Sequence, residues 1–155
     1  KALYNAPKVA TPIPDDFEVP FGKARLRREG TDLSLITYGN TTPMCIELAD
    51  QFEKDGIASL EVLDLRSLSP LDKDAILASV KKTGKVLVVH EDKVFGGFGG
   101  EVVSQINEMA FEYLDGPVRR VGSTFTPVGF NRILEAAILP NLERIRKAAT
   151  ELLNY

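Results

Sequence analysis

The feature that most constrains the fold is an alternation of strand-like and helix-like segments along most of the chain. Residues 85–90 (KVLVVH) form a continuous apolar run, which is typical of a parallel strand covered on both faces. Further strand-like segments lie at 32–38, 59–65 and 117–121. With an edge strand at 24–29, the alternation predicts an α/β domain with three α-β-α layers and a mostly parallel sheet of about five strands. The edge strand is the one expected to be antiparallel.

Most of the helical segments carry an apolar face. Cys45 begins a face with i, i+3, i+4, i+7 spacing, in a helix that Thr42 and Pro43 are expected to start and Gly56 to end. Asp72 is a candidate N-cap of the next helix, which Gly84 ends. Three more helices are expected at about 100–114, 130–139 and 142–153, the first with the inner face Val102, Val103, Ile106, Ala110 and Tyr113.

Composition limits the class of protein. The 155 residues suffice for one domain with a buried core. A net charge of −3 with scattered basic residues gives no electrostatic basis for binding nucleic acid or an anionic membrane. No apolar run approaches the roughly 18 residues that span a bilayer. The single cysteine, Cys45, excludes an internal disulfide and is expected to be a buried thiol.

Residues 1–22 differ from the rest of the chain. Prolines stand at positions 7, 12, 14 and 20, and proline fixes φ and removes a backbone donor. An extended surface segment is therefore expected. Because the sequence also starts at Lys1 instead of methionine, we predict that 1–22 is a linker from a preceding domain and that 23–155 forms the domain itself.

The best candidate site follows the most apolar strand. His90 and Glu91 stand at its carboxyl end, where ligands of open parallel sheets collect. A histidine there can relay protons or bind an anion. No second histidine, nucleophilic cysteine or obvious base accompanies it. The favoured interpretation is a histidine that bonds a neighbouring loop and packs in an interface.

A glycine-rich loop, Gly96-Gly97-Phe98-Gly99-Gly100-Glu101, precedes the third helix. Such turns can cradle phosphate, but the Lys-Ser/Thr of a phosphate-binding loop is missing and Glu101 would repel an anion. A close-packed backbone turn is therefore favoured. Phe98 is expected to be an exposed aromatic at the apex, which favours a protein partner. Gly96, Gly97, Phe98 and Glu101 join His90 and Glu91 as predicted interface residues.

Several segments together carry a resemblance to a known family. They are 1–4 (KALY), 20–32 (PFGKARLRREGTD), 61–72 (EVLDLRSLSPLD), 82–91 (KTGKVLVVHE) and 96–101 (GGFGGE). In this order the chain resembles the C-terminal, transketolase-like domain of the β subunit of 2-oxo-acid dehydrogenase E1 components, of the pyruvate and branched-chain group. One departure lies at 122–127 (GSTFTP), where the family usually has a Gly-x-Asp-x-Pro turn.

The resemblance implies a parent enzyme that binds thiamin diphosphate and Mg²⁺, decarboxylates a 2-oxo acid and transfers the acyl group to lipoyl-E2. It places the cofactor and the catalytic residues in other parts of that enzyme, so this fragment is expected to be non-catalytic and to bind neither cofactor nor metal. The expected partners are an upstream pyrimidine-binding domain, the α subunit, a second β copy and the subunit-binding domain of E2. Asp115 and the carboxylate of Tyr155 are the predicted E2-docking residues.

Two alternatives stay open. Within the same superfamily, the chain is also compatible with the C-terminal domain of transketolase or of 1-deoxyxylulose-5-phosphate synthase. From another class, a stand-alone flavodoxin-like binding module has the same alternation, although it needs no proline-rich lead. The E1 resemblance implies a cytoplasmic protein in a bacterium and a mitochondrial-matrix protein in a eukaryote.

Overall fold

A computed structural model describes Pro12 and residues 14–155. Its strands are β1 (Arg25–Arg28), β2 (Leu33–Thr37), β3 (Leu60–Asp64), β4 (Val86–Lys93) and β5 (Arg119–Ser123). Its α-helices are α1 (Thr41–Lys54), α2 (Lys73–Thr83), α3 (Gly99–Ala110), α4 (Arg132–Ile138) and α5 (Leu142–Leu153), and one 3₁₀ turn, Phe111–Tyr113, follows α3. Most of the predicted linker, 1–11 and residue 13, lies outside the described residues.

The five strands form one sheet in the order β1-β3-β2-β4-β5. The pairs β2–β3, β2–β4 and β4–β5 are parallel, and only β1 runs antiparallel, against β3. The predicted fold class is therefore confirmed, including the antiparallel edge. Because the chain moves outward in both directions from β2, the strand order reverses between β2 and β4, and the carboxyl ends of these two strands flank the place where open sheets bind ligands.

The sheet separates two apolar cores. On one side α1 and α5 bury Phe52, Ile145 and Leu152, which are completely inaccessible to solvent. On the other side α2 and α3 bury Ile76 and Ile106. The central strand β2 is buried along its whole length. Residues 86–90 of β4 are buried too, as the continuous apolar run at 85–90 predicted. No helix among the described residues is long and apolar enough to cross a membrane.

Several local predictions differ from the structure. Helix α1 begins at Thr41, and Asn40 instead of Thr42 holds the N-cap position. Thr41 is drawn into the helix because its buried Oγ1 bonds Thr37 Oγ1 (2.7 Å) and the carbonyl of Val89 (3.2 Å). Helix α3 ends at Ala110, so the expected inner-face residue Tyr113 lies in the 3₁₀ turn, exposed and under the ammonium of Lys81.

The predicted caps are confirmed for α2. The carboxylate of Asp72 accepts a hydrogen bond from the backbone N–H of Ala75 (3.2 Å), and Gly84 ends the helix in the left-handed conformation at φ +66°. Strand β5 starts at Arg119, two residues later than predicted, because its ladder with β4 begins there and Pro117 has no N–H to contribute. Cys45 is buried, as expected.

Candidate functional site

His90 lies at the carboxyl end of the buried part of β4 and is completely inaccessible to solvent. Its ring lies 6.1 Å from the ring of Tyr38, nearly parallel to it at 10°. Gly99 and Gly122 make room for the imidazole: a methyl carbon on Gly99 would overlap Nε2, and one on Gly122 would lie 2.9 Å from Cε1. The histidine is thus packed between the start of α3 and strand β5.

Both ring nitrogens of His90 are buried without a hydrogen-bond partner in the described part of the chain, and so is the hydroxyl of Tyr38. Burial lowers the pKa of His90; the charge of Asp92 opposes that shift and the charge of Arg120 adds to it. Burial raises the pKa of Tyr38 to about 12, and Asp92 adds to that shift. Both rings are therefore neutral near pH 7, and neither carries a positive charge that could bind an anion.

Glu91, unlike its neighbour, points to solvent. Its Oε1 accepts a hydrogen bond from Nδ2 of Asn40 (3.1 Å), the residue that precedes α1. Its backbone carbonyl accepts a hydrogen bond from the hydroxyl of Ser123 at the end of β5. Glu91 therefore connects the ends of β2, β4 and β5 on the carboxyl edge of the sheet.

The glycine-rich loop folds as a close-packed backbone turn around Asp92. The carboxylate of Asp92 accepts hydrogen bonds from the backbone N–H groups of Lys93 (2.7 Å) and Phe98 (3.4 Å). A methyl carbon on Gly97 would overlap the carbonyl of Lys93, and Gly96 adopts φ +73°. These two glycines are therefore required by the path of the backbone, as the favoured interpretation stated.

The expectation that Phe98 is exposed is wrong. Phe98 is half-buried and packs edge-on against Tyr38, with ring centroids 6.3 Å apart. The exposed aromatic of this loop is Phe95, at 70% exposure, and its ring contacts Phe125 at 4.6 Å. Phe98 lies inward because its ring packs against Tyr38 at the border of the core between the sheet and helices α2 and α3.

The residues around the glycine loop do not fit a diphosphate or its metal ion. A cavity of about 670 Å³ beside the loop is lined by the carboxylates of Asp92 and Glu101 and by Arg120. Two carboxylates beside a single guanidinium disfavour a polyanion. Glu101 also stands in the first turn of α3 and already complements the helix dipole. Among residues 12 and 14–155, no group of three His, Cys, Asp or Glu side chains is placed to hold a metal ion.

The two predicted docking residues lie together at the opposite edge of the sheet. The backbone N–H of Asp115 donates to the carbonyl of Gly84 (2.8 Å), just before β4 begins, and the carboxylate of Asp115 packs over Gly84. A methyl carbon on Gly116 would lie 3.2 Å from Cδ1 of Tyr155. Asp115 and Tyr155 are both exposed, and the ring of Tyr155 lies beside Gly116, which follows Asp115 in the sequence.

Sequence reasoning missed a groove between α1 and the sheet edge. It has a volume of about 610 Å³, with an apolar wall that includes Pro43 and Ile46 and with Arg27 and Asp64 at its border. Burial raises the pKa of Asp64, although the hydrogen bond from the N–H of Arg66 opposes that shift. Apolar residues outside the i, i+3, i+4 face of α1 were the signal that could have revealed it.

Helix α4 was predicted as a helix, but its surface was not recognised. None of its seven residues is buried. Its apolar side chains, together with those of the preceding loop, are among the most exposed in the molecule: Val128 58%, Phe130 108%, Ile133 79% and Leu134 56%. The signal was available in the sequence, since 128–138 contains more apolar residues than one buried face requires.

Comparison with known proteins supports the resemblance to the C-terminal domain of 2-oxo-acid dehydrogenase E1 β subunits along most of the chain. The family model described as transketolase, C-terminal domain, matches residues 22–145. The pyruvate dehydrogenase E1 component subunit beta of Bacillus subtilis is 43% identical over 141 residues, which cover 91% of this chain and 43% of that protein. The 2-oxoisovalerate dehydrogenase subunit beta of the same organism is 38% identical over 156 residues, 100% of this chain and 47% of that protein.

The chain therefore spans less than half the length of these relatives. Among solved structures, a split-gene transketolase, described as an inactive tetramer of β subunits, aligns with a TM-score of 0.74 at 24% identity, over 92% of this chain and 46% of that one. A 2-oxoglutarate:ferredoxin oxidoreductase from Magnetococcus marinus aligns with a TM-score of 0.57 at 16% identity, over 90% of this chain and 20% of that one. These two likenesses concern the fold alone.

Proposed function

The chain belongs to the transketolase C-terminal domain family, and from this membership we propose that it is the C-terminal domain of the β subunit of a thiamin-diphosphate-dependent 2-oxo-acid dehydrogenase E1 component. The observation that carries the proposal is the 43% and 38% identity to two E1 β subunits over 91% and 100% of the chain. Transketolase and 1-deoxyxylulose-5-phosphate synthase share the fold, but the quoted sequence relatives favour the E1 assignment. A stand-alone module is disfavoured by the same alignments.

Within that enzyme the domain's role is structural. The parent would catalyse the oxidative decarboxylation of a 2-oxo acid and pass the acyl group to lipoyl-E2, with thiamin diphosphate and Mg²⁺ held by other domains. Two observations support this division of labour: the glycine loop is bordered by carboxylates, and His90 is packed between glycines instead of facing a cavity. We assign no chemical step to the described residues.

The carboxyl edge of the sheet is the surface that we assign to contacts inside the parent enzyme, with the upstream pyrimidine-binding domain and the α subunit. Glu91, Gly96 and Glu101 are exposed there, beside Phe95. The shape of this loop is fixed by three residues that lie below its surface: His90, Gly97 and Phe98. Linker 1–22 and domain 23–155 remain the proposed division, and the proposed location is the cytoplasm of a bacterium or the mitochondrial matrix of a eukaryote.

The opposite edge is the proposed docking site for the subunit-binding domain of E2. Asp115 and Tyr155 are exposed, and the Tyr155 ring lies beside Gly116, the residue after Asp115, which supports a contact with a basic partner. In a double-mutant cycle, Asp115→Asn combined with removal of a facing E2 lysine should show a coupling of about 0.5–3 kcal/mol in the binding free energy. Zero coupling with every lysine on the bound face of E2 would remove Asp115 from the site.

The assignment is tested by a chimera. The equivalent part of the Bacillus subtilis pyruvate dehydrogenase β subunit is replaced by this chain and co-expressed with its α subunit. We expect co-purification with the α subunit and pyruvate decarboxylation that depends on thiamin diphosphate and Mg²⁺. Calorimetric titration of the isolated chain with the same cofactors should show no binding. A folded chimera that leaves the α subunit unbound, or tight binding by the isolated chain, contradicts the proposal.

A further inference from the structure

The cavity between helix α1 and the edge strand β1, which we call the α1 groove, has no part in the function proposed above. Its volume of about 610 Å³ lies within the range of roughly 300–1,000 Å³ that is typical of small-molecule sites. Pro43 and Ile46 form its apolar wall. Small-molecule sites combine such a wall with a few polar groups that fix the orientation of the ligand. The polar groups at the border of the groove therefore decide which ligand fits.

One end of the α1 groove is positively charged. Asp64 lies there, and Arg25, Arg27 and Arg66 are close enough to act on its carboxyl group through their charges. Arg27 lines the groove and is exposed, and it forms no ion pair with any carboxylate of the described chain. Three guanidinium groups around one carboxylate leave a net positive charge, which favours a ligand with a negative group at this end.

The first turn of α1 borders the same groove and adds a hydrogen-bonding group. Thr42 lines the groove and is only 6% exposed, and its hydroxyl has no hydrogen-bond partner within residues 12 and 14–155. A threonine in a helix has two accessible χ1 rotamers, so the hydroxyl can turn towards a ligand. No acidic residue stands in this first turn and no side chain caps it, so the positive end of the helix dipole is not compensated there.

The other charges of the groove are already balanced. Asp50 forms an ion pair with Arg28, and Glu47 is matched by Lys54, which lines the same groove. The wall around Ile46 is uncharged. A ligand that fits this arrangement has one negative group at the Arg27 end and a short apolar body along the wall. A polyanion would meet the carboxylates of the groove, and a cation would find more positive than negative groups at the Arg27 end.

We propose that the α1 groove binds a small monocarboxylate with a short apolar body. Its carboxylate lies between the guanidinium of Arg27 and the hydroxyl of Thr42, and its apolar body packs against Pro43 and Ile46. Arginine suits this task because its planar fork can donate two parallel hydrogen bonds to a carboxylate. The inference does not rest on the proposed function, because it uses only the walls and charges of the groove.

The test is direct binding to the full chain, followed by the backbone amide signals in NMR spectra. The probe is sodium isovalerate, a branched monocarboxylate, titrated against sodium chloride at equal ionic strength. We expect saturable shifts at Thr42, Ile46 and Asp64, with a dissociation constant of about 1–10 mM for a ligand of this size. Absence of saturable shifts at these residues over the titration overturns the proposal.

Two further probes separate the contributions of the charge and of the apolar body. The neutral alcohol 3-methylbutan-1-ol keeps the body and should bind about tenfold more weakly, because it cannot pair with Arg27. Acetate keeps the charge and should also bind about tenfold more weakly, because it leaves the apolar wall uncovered. An alcohol that binds as tightly as isovalerate overturns the anionic class of ligand, and an acetate that does so overturns the role of the wall.

A matched pair of variants locates the carboxylate. Arg27→Gln should weaken isovalerate binding about tenfold, whereas Arg132→Gln, at an exposed arginine of α4, should leave it unchanged. Equal effects of the two variants would show attraction by net charge alone and would overturn the site.

Thr42→Val tests the hydroxyl, because valine has nearly the same shape but no hydrogen-bonding group. The variant should bind isovalerate about threefold to tenfold more weakly. Thermal unfolding followed by circular dichroism confirms that each variant is folded. A Thr42→Val chain with a shifted unfolding midpoint and an unchanged dissociation constant assigns that hydroxyl a purely structural role and removes it from the site.

Discussion

The carboxyl edge around His90 and the α4 segment show two opposite ways of placing apolar and polar groups. At the edge, a polar ring is completely buried and two glycines, Gly99 and Gly122, are needed to accommodate it. In α4, apolar side chains stand in solvent, and none of the helix is buried. The first region is packed by the chain itself, whereas no part of the described chain buries a residue of the second. The difference separates residues that maintain the fold from residues that are available for association.

The largest expected effect compares two phenylalanines. Phe52→Ala, in the core between α1 and α5, should lower the free energy of unfolding by about 3–5 kcal/mol, because it leaves a cavity among fully buried neighbours. Phe130→Ala should change it by less than about 0.5 kcal/mol, because the Phe130 side chain is fully exposed. Urea unfolding followed by circular dichroism measures both values. A cost for Phe130→Ala comparable to that of Phe52→Ala would show that α4 stabilises the monomer.

Variants at two adjacent glycines test the packing of His90 at the carboxyl edge of the sheet. Gly99→Ala should cost about 1–3 kcal/mol, because the new methyl overlaps the buried His90 ring, which has no room to move. Gly100→Ala is the matched control in the same helical turn. Its methyl would lie 3.1 Å from the flexible end of Arg120, so the gain in helix propensity should make this variant neutral or slightly stabilising. Equal losses from the two variants would contradict the packing described for His90.

These regions also differ in how far the sequence predicted them. The run at 85–90 and the helical faces predicted the layers, the strand directions and the buried Cys45, because periodicity reports burial within the chain. The predicted exposure of Phe98 was wrong, because its ring packs against Tyr38, a residue far away in the sequence. The packing of Tyr155 against Gly116 joins residues far apart in sequence, and no local pattern encodes that contact.

A smaller effect compares two asparagine caps. Asn141 accepts a hydrogen bond from the N–H of Arg144 (2.9 Å) at the start of the packed α5, and Asn131 accepts one from Ile133 at the start of α4. Asn141→Ala should cost about 1 kcal/mol of global stability. Asn131→Ala should instead increase amide hydrogen exchange within α4 and leave the global transition nearly unchanged, because α4 can open locally. A global loss from Asn131→Ala equal to that from Asn141→Ala would contradict this independence.

The smallest effect concerns pH, because one group changes charge and Asp92 partly offsets the cost of burying it. The pKa of His90 is lowered in the folded state, so the unfolded chain binds a proton more readily. The free energy of unfolding should therefore decrease as the pH falls through about 6.5, the ordinary value for histidine, towards the lower pKa of the folded state.

Titration of unfolding midpoints for the wild-type chain and for His90→Gln measures this slope. The glutamine variant removes the proton-binding group and should have a flatter profile between about pH 7.5 and 5.5. Identical slopes for the two proteins would mean that His90 does not titrate as a buried neutral group, and the contrast with the solvent-facing α4 segment would then rest on packing alone.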